Sequence, residues 1–317
     1  MATTTVNGDS KPLKVAIVGG GPGGLALALG LQQHDHLEVH VFESKPKLGD
    51  IGASVTLSTN ALAALKSIAP AMQKVLDKCL TNFGTTDMGP RGPRIYAGGG
   101  ERCGEYLGRA EFARPVFASH NIHRATFVTE LEAELDRTAV HLDSGVRGYT
   151  QDDSGVHLEL SNGSKETFDA LFGADGLRSV VRASMFGSSP SSEPTFTGAV
   201  AYRGFVPFAD AERALGKERA GEASFMFGPG LLLLGQPADH GRMYNMVTCT
   251  TGHERWSHEK WTIPVEPEEL RNALSDWGTP GDRWLELINK PGMMKWAIFQ
   301  SAFLPYFNDG SVALPTH

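Results

Sequence analysis

Apolar positions along this chain fall into short continuous runs, alternating stretches and helical stripes. Val15-Ala16-Ile17-Val18 is a continuous apolar run, the pattern of a strand buried on both faces. A stripe of Leu25, Ala26, Leu29 and Leu31 predicts a helix ending near Gln33, and Val39–Glu43 reads as a second strand. Residues 44–59 read as loop, and Asn60-Ala61-Leu62-Ala63-Ala64-Leu65 opens a helix with Ser58 or Thr59 as its cap. Residues 84–104 are rich in Gly, Pro and Arg and read as loop or irregular strand. Phe127, Leu131 and Leu135 mark a helix over about 125–137. Strand-like segments follow, separated by Asp152-Asp153-Ser154-Gly155 and by the hairpin signal Asn162-Gly163. A strand at 170–173 enters a glycine turn, and a short helix runs from Ser179 to Met185. Beyond the Ser- and Pro-rich stretch 188–194, strand-like runs occupy 195–207, 223–227, 231–235 and 243–250 and predict a mostly antiparallel sheet. Helices over 266–277 and 281–289 and a strand around 295–303 complete the pattern.

The first strand–helix–strand unit carries candidate chemistry. Its turn, Gly19-Gly20-Gly21-Pro22-Gly23-Gly24, has the GxGxxG spacing, and Glu43 stands 19 residues beyond Gly24. Gly19 allows the tight turn, Gly21 lets backbone approach a pyrophosphate, and Gly24 lets helix and sheet pack closely. The helix N-terminus offers free N–H groups to phosphate. An acid at the position of Glu43 accepts from a ribose diol and repels a 2′-phosphate, so the tightly held nucleotide is expected to be FAD or NAD rather than NADP.

Composition narrows the picture. With 317 residues the chain can bury a large core and is expected to hold two domains. A net charge of −7 excludes a generic basic nucleic-acid surface. Cys79, Cys103 and Cys249 are widely spaced, which points away from both a disulfide framework and a zinc site. No apolar run reaches membrane-spanning length, and Met1–Lys14 lacks the apolar stretch of a signal peptide. A cytoplasmic protein is expected, with a disordered lead-in over 1–13.

Five separated motifs, in order, resemble the FAD-dependent aromatic hydroxylases of the salicylate hydroxylase and para-hydroxybenzoate hydroxylase type, fungal members especially. They are the glycine turn with Glu43; Gly52-Ala53-Ser54-Val55-Thr56-Leu57-Ser58-Thr59-Asn60-Ala61, similar to GAGI-x-L-x-x-NA but with Ser54 for the second Gly; His123-Arg124-Ala125-Thr126-Phe127, similar to HRxxL; Gly173-Ala174-Asp175-Gly176-Leu177-Arg178-Ser179-Val180-Val181-Arg182, a full match to GADGxxSxxR; and Tyr202-Arg203-Gly204.

The resemblance implies an α/β protein. Its Rossmann-type FAD-binding domain is expected over 14–187, a smaller, mostly antiparallel β substrate domain over 188–303, and a returning strand within 304–317. It implies hydroxylation of a small aromatic by FAD, O2 and NADPH or NADH, in secondary metabolism, with a homodimer left open. FAD contacts are implied for Gly19, Gly21, Gly24, Glu43, Ala53, Ser54, Arg124, Asp175 and Gly176, with Arg182 bracing the turn at Asp175. Arg203 is the expected catalytic residue, a charge on an otherwise apolar strand face that needs a partner. The relatives' tyrosine before a proline is Gln236 here, so tyrosine-assisted phenol deprotonation does not carry over. Tyr244 is expected to be structural.

The family's LGDAAHxxxP segment has no counterpart where the chain reads Asn308–His317. A truncated chain with weakened FAD binding and poor or uncoupled hydroxylation is the corresponding expectation. Two rival readings stay open at this point: an NAD-dependent reductase without oxygen chemistry, and an inactive remnant.

Overall fold

A computed structural model describes residues 11–49, 54–83, 92–110, 120–189, 192–238, 241–288, 290 and 293–315. Most of the lead-in expected over 1–13, the loop 84–91, and Ala53 lie outside them.

The first half runs β1 (Leu13–Val18), α1 (Pro22–Leu31), β2 (Leu37–Phe42), β3 (Ser54–Leu57), α2 (Thr59–Ile68), α3 (Ala71–Phe83), β4 (Arg94–Ala97), β5 (Tyr106–Arg109), β6 (His120–His123) and α4 (Arg124–Ala133). β7 (Val140–His141), β8 (Val146–Asp152), β9 (Gly155–Leu160), β10 (Lys165–Phe168), β11 (Ala170–Gly173) and α5 (Val180–Phe186) follow. The second half runs β12 (Thr195–Pro207), α6 (Phe208–Leu215), α7 (Lys217–Ala220), β13 (Ser224–Gly228), β14 (Leu231–Ala238), β15 (Met243–Thr250), β16 (Thr262–Pro264), α8 (Pro267–Ala273), α9 (Gly278–Ile288), β17 (Met294–Gln300), β18 (Asn308–Asp309) and β19 (Val312–Ala313).

Two large sheets organise these elements. The first has the order β18-β19-β11-β1-β2-β7 and is parallel apart from the β18–β19 hairpin. Ile17 and Val41 on one face pack against Leu25 and Leu29 of α1, and on to Met72, Val75, Leu76, Phe127 and Leu131 of the neighbouring helices. Ala16, Val18 and Phe42 face the other way, toward Val156, Leu158, Phe168 and Val181. Burial on both faces is why β1 reads as an unbroken apolar run.

The second sheet has the order β16-β17-β12-β15-β14-β13-β4-β5 and is antiparallel except between β13 and β4. One face, carrying Val200, Tyr202, Val206, Met226, Leu233, Tyr244 and Met246, is closed by α6, α8 and α9 through Leu215, Leu270, Trp284 and Ile288. Trp284 donates its indole N–H to the Thr248 hydroxyl at 2.8 Å, which satisfies the one polar atom of that buried ring.

Residues 94–109 fall within the segment assigned from sequence to the nucleotide-binding domain, yet β4 and β5 join the second sheet. β4 and β5 pair locally, but they enter that sheet through the pairing of β4 with β13, more than a hundred residues away, and pairing over that distance leaves no local pattern. The hairpin signal at Asn162-Gly163 does join two antiparallel strands, with Gly163 at φ +85°.

Candidate functional site

The glycine turn sits where β1 hands over to α1. Gly19 has φ +111°, and a Cβ there would collide with the Ala174 carbonyl oxygen; a Cβ on Gly24 would collide with the Gly19 carbonyl oxygen. Both positions are therefore glycine for the fold itself. Gly21 is different. Its backbone is ordinary and extended, φ −76° and ψ 174°, and it is the N-cap of a helix that has no side-chain cap. A Cβ built on it meets only Arg124 Nη2, at 3.9 Å. No backbone or packing demand excludes a side chain at Gly21.

Three other segments converge on this turn. The Gly20 N–H donates to Glu43 Oε2 at 2.9 Å, which sets the acid at the end of β2 against the turn. Glu43 Oε1 accepts from Ser44 Oγ at 3.1 Å and the Lys45 N–H at 3.0 Å. Arg124 opens α4 after His123, whose ring burial holds below its usual pKa. No acid pairs with Arg124 among the described residues. Ser54 pairs across the β3–β6 ladder with His123, one residue before Arg124.

The fourth segment is the turn after β11. The Ala174 N–H donates to the Val18 carbonyl at 2.8 Å, holding this turn beside the first. Asp175 accepts from Ser179 Oγ at 2.6 Å and from the N–H groups of Val180 at 2.6 Å and Val181 at 3.2 Å. Its carboxylate is thus occupied in capping α5, so its direct duty is to shape the turn. Gly176 takes φ +76°, a conformation that favours glycine. Arg182, 2% exposed, donates to the carbonyls of Gly176 and Leu177 and braces the turn as its motif implied.

Arg178 of the same turn stacks its guanidinium 4.0 Å over the Trp261 ring, beside β16. Trp261 in turn stacks on Phe299 of β17 at 4.2 Å. The turn after β11 is thereby tied to the edge of the second sheet. Nothing in the local pattern of Arg178 signals that contact, because its partner lies eighty residues on.

Arg203 lies on the sheet face opposite α6, α8 and α9. Cross-strand register places Ile95, Phe225, Leu234, Val247, Arg203 and Met294 in one row over six strands. The next row holds Phe227, Leu232, Cys249, Ala201 and Trp296. Arg203 is the one charge in these two rows. Its guanidinium lies 5.9 Å from the Trp296 ring, and no acid pairs with it among the described residues. Phe205 and Phe227 on the same face are 43% and 51% exposed, an apolar surface of the kind that marks a binding site. Gln236 is buried on the neighbouring row. Tyr244 is fully buried against Gly235 on the helix-covered side, and burial pushes its hydroxyl up to about 12, which fits a structural role.

The first turn thus combines a helix N-terminus without a side-chain cap, a glycine whose absent side chain leaves room, an arginine across that room with no acid partner among the described residues, and a carboxylate at the strand end. That donor set fits a dinucleotide diphosphate and its ribose.

Residues 17–66 match the model of the NAD(P)-binding Rossmann-like domain. A 6-methylsalicylate 1-monooxygenase of Aspergillus terreus is 34% identical over 96% of this chain and 68% of its own length. The chain belongs to the FAD-dependent aromatic monooxygenases.

A salicylate hydroxylase of Pseudomonas putida is 29% identical to this monooxygenase over 95% of it and 70% of the relative. The solved structure of a salicylate hydroxylase substrate complex superposes with a TM-score of 0.80 at 25% identity, covering 96% of this chain and 72% of that one. The monooxygenase chain spans about two thirds of the length of these relatives. FAD is the cofactor of the family. No helix among the described residues is long and apolar enough to cross a membrane.

Proposed function

We propose that this chain hydroxylates a small phenolic acid, with FAD, NADPH or NADH, and O2. The observation that carries the reading is Arg203, a cation with no acid partner among the described residues, in a half-buried apolar row. An aromatic ring lies well on such a surface, and an anionic oxygen of the ring's substituent answers the guanidinium. The relatives' names, salicylate hydroxylase and 6-methylsalicylate 1-monooxygenase, indicate the ortho-hydroxybenzoate class.

Bound FAD supplies the oxygen chemistry. The chain supplies position. The Gly19–Gly24 turn and Arg124 hold the diphosphate, and Glu43 takes a ribose hydroxyl. Ser54, paired with His123 across the β3–β6 ladder, would offer the cofactor a further contact beside Arg124. The Asp175–Gly176 turn, braced by Arg182, closes the other side. Arg203 orients the substrate and keeps its phenol oxygen anionic, which enriches the ring in electrons. Location in the cytoplasm and assembly as a homodimer are parts of the same reading; the acidic net charge suits a protein with small-molecule partners rather than nucleic acid.

The test is to load the protein with FAD and follow NAD(P)H consumption, peroxide and hydroxylated product together over a panel of hydroxybenzoates. Product in proportion to NAD(P)H with ortho-hydroxybenzoates supports the proposal. NADH oxidation without product from any phenolic acid overturns it.

A further inference from the structure

A cavity lies on the helix-covered side of the eight-stranded sheet, on the face opposite Arg203. It measures about 510 Å³ and opens between α7, the start of α9 and the loop after β4. Its charged lining is Lys217, Glu218, Arg219 and Arg283. Glu218 is already engaged, its carboxylate 2.6 Å from Arg94 Nη1. Lys217, Arg219 and Arg283 form no ion pair among the described residues. The lining therefore carries an uncompensated positive charge.

Arg219 is the unusual member. Its guanidinium lies 4.9 Å from the Tyr96 ring centroid, and Nη2 reaches only Met226 Sδ, a weak acceptor, at 3.8 Å. Nε is sealed from solvent and has no hydrogen-bond partner among the described residues. Burial works against its charge, and the Arg283 charge adds to that effect. A guanidinium stays charged at any ordinary pH, so the cost of holding it there is not relieved by proton loss. Ring stacking offsets part of that cost and leaves the planar fork of donors unused. The fork matches one ligand chemistry above others, an oxyanion with two coplanar oxygens. The cavity is also larger than a bare anion needs and falls in the range of small-molecule sites. Leu215, Pro280 and the Tyr96 ring give it apolar wall for an organic body.

We propose that this cavity is a second small-molecule site, which takes an organic phosphate or carboxylate on Arg219, with Arg283 and Lys217 at its mouth. Its occupant is distinct from the aromatic substrate on the Arg203 face, because the two lie on opposite faces of one sheet.

The test is calorimetric titration of the FAD-loaded protein with phenyl phosphate and, separately, with benzoate. Four proteins are compared: the parent, Arg203→Gln, Arg219→Lys, and the double variant Arg283→Gln with Lys217→Gln. Both residues of the double variant are exposed, so that protein is expected to fold whatever Arg219→Lys does. Saturable binding tighter than about 1 mM is expected, retained in Arg203→Gln and weakened at least about tenfold in the double variant. Arg219→Lys keeps the charge but loses the fork and should weaken binding similarly. Binding of phenyl phosphate alone assigns the site to phosphates, and of benzoate alone to carboxylates. Absence of saturable binding by either probe overturns the proposal. So does binding that disappears in Arg203→Gln and is unchanged in the double variant.

Discussion

Arg124 Nη2 is the nearest atom that a side chain on Gly21 would meet, 3.9 Å from a Cβ built there. Gly21 and Arg124 come from different elements, more than a hundred residues apart in sequence, and they frame one space at the head of α1. The fold leaves that space open although nothing in the backbone of Gly21 requires a glycine.

Gly21→Ser separates ligand from fold. Serine is among the best N-cap residues, and its hydroxyl would accept from the same N–H groups that a diphosphate uses. Apo stability should stay level or rise by a few tenths of a kcal/mol. FAD affinity should fall at least tenfold, about 1.4 kcal/mol. Gly19→Ser, with its positive φ and its collision with Ala174, should instead unfold the protein or leave it insoluble. Thermal melts with and without FAD check both. Unchanged FAD affinity in Gly21→Ser would remove the diphosphate from this turn.

Glu43→Ala should damage both states. The carboxylate accepts three hydrogen bonds from its own neighbourhood, and each hydrogen bond to a charged group is worth about 1.5–3 kcal/mol. Apo stability should drop by at least about 1 kcal/mol as Gly20 and Lys45 lose their acceptor. FAD binding should weaken further, by about one such bond to the ribose. If the melting temperature falls but the FAD dissociation constant does not move, Glu43 serves the loop and not the nucleotide.

Arg203→Gln should leave the fold alone. The side chain is exposed and no acid depends on it, so stability should change by less than about 0.5 kcal/mol. Flavin content should match the parent. The kcat/KM for hydroxylated product should fall about a hundredfold, roughly 2.7 kcal/mol of lost transition-state stabilisation, with product per NAD(P)H falling as well. Coupled turnover equal to the parent's would end the catalytic assignment.

Legibility followed distance. The β1–turn–α1–β2 unit could be read residue by residue because the spacing from Gly19 through Gly24 to Glu43 lies within thirty residues, although the collision of a Gly19 side chain with Ala174 comes from far along the chain. The face of Arg203 was equally readable, since alternation along one strand assigns it. What surrounds that face was not. The row from Ile95 to Met294 draws on six strands and exists only through their register. Asp175 shows a subtler gap. The GADGxxSxxR motif gave its place, but not that Ser179, Val180 and Val181 already occupy its carboxylate. Helix α3 was missed for no such reason. Met72, Val75, Leu76 and Cys79 repeat at helical spacing, and a periodicity count over 71–83 would have found it.

Cys79 yields a pH prediction. It is fully buried, and burial pushes its thiol up to about 11. At pH 8 the thiolate is therefore on the order of one part in a thousand. Native protein should leave Cys79 unlabelled by a thiol reagent while unfolded protein exposes it. The raised value also sets a sign. The unfolded thiol loses its proton near its ordinary pKa while the folded one keeps it, so this contribution is complete below about pH 9. It is lost as pH rises through about 11. Denaturant midpoints from pH 8 to 10.5 should fall with a slope that is shallower in Cys79→Ala. A pH-independent difference between the two proteins would contradict the raised pKa.

The parallel pairing of β11 with β19 joins Leu171 to Val312, roughly 140 residues apart in the chain. Six of the eight strands of the second sheet come from the residues between them. A ribosome therefore releases β1, β2 and β11 long before their sheet can acquire its final edge. Until then the Leu171 side of β11 is an open strand flank, with backbone groups free to pair with the wrong chain. Slow, non-local closure of this kind makes yield in cells sensitive to synthesis rate and to chaperone supply, even for variants whose folded state is undamaged.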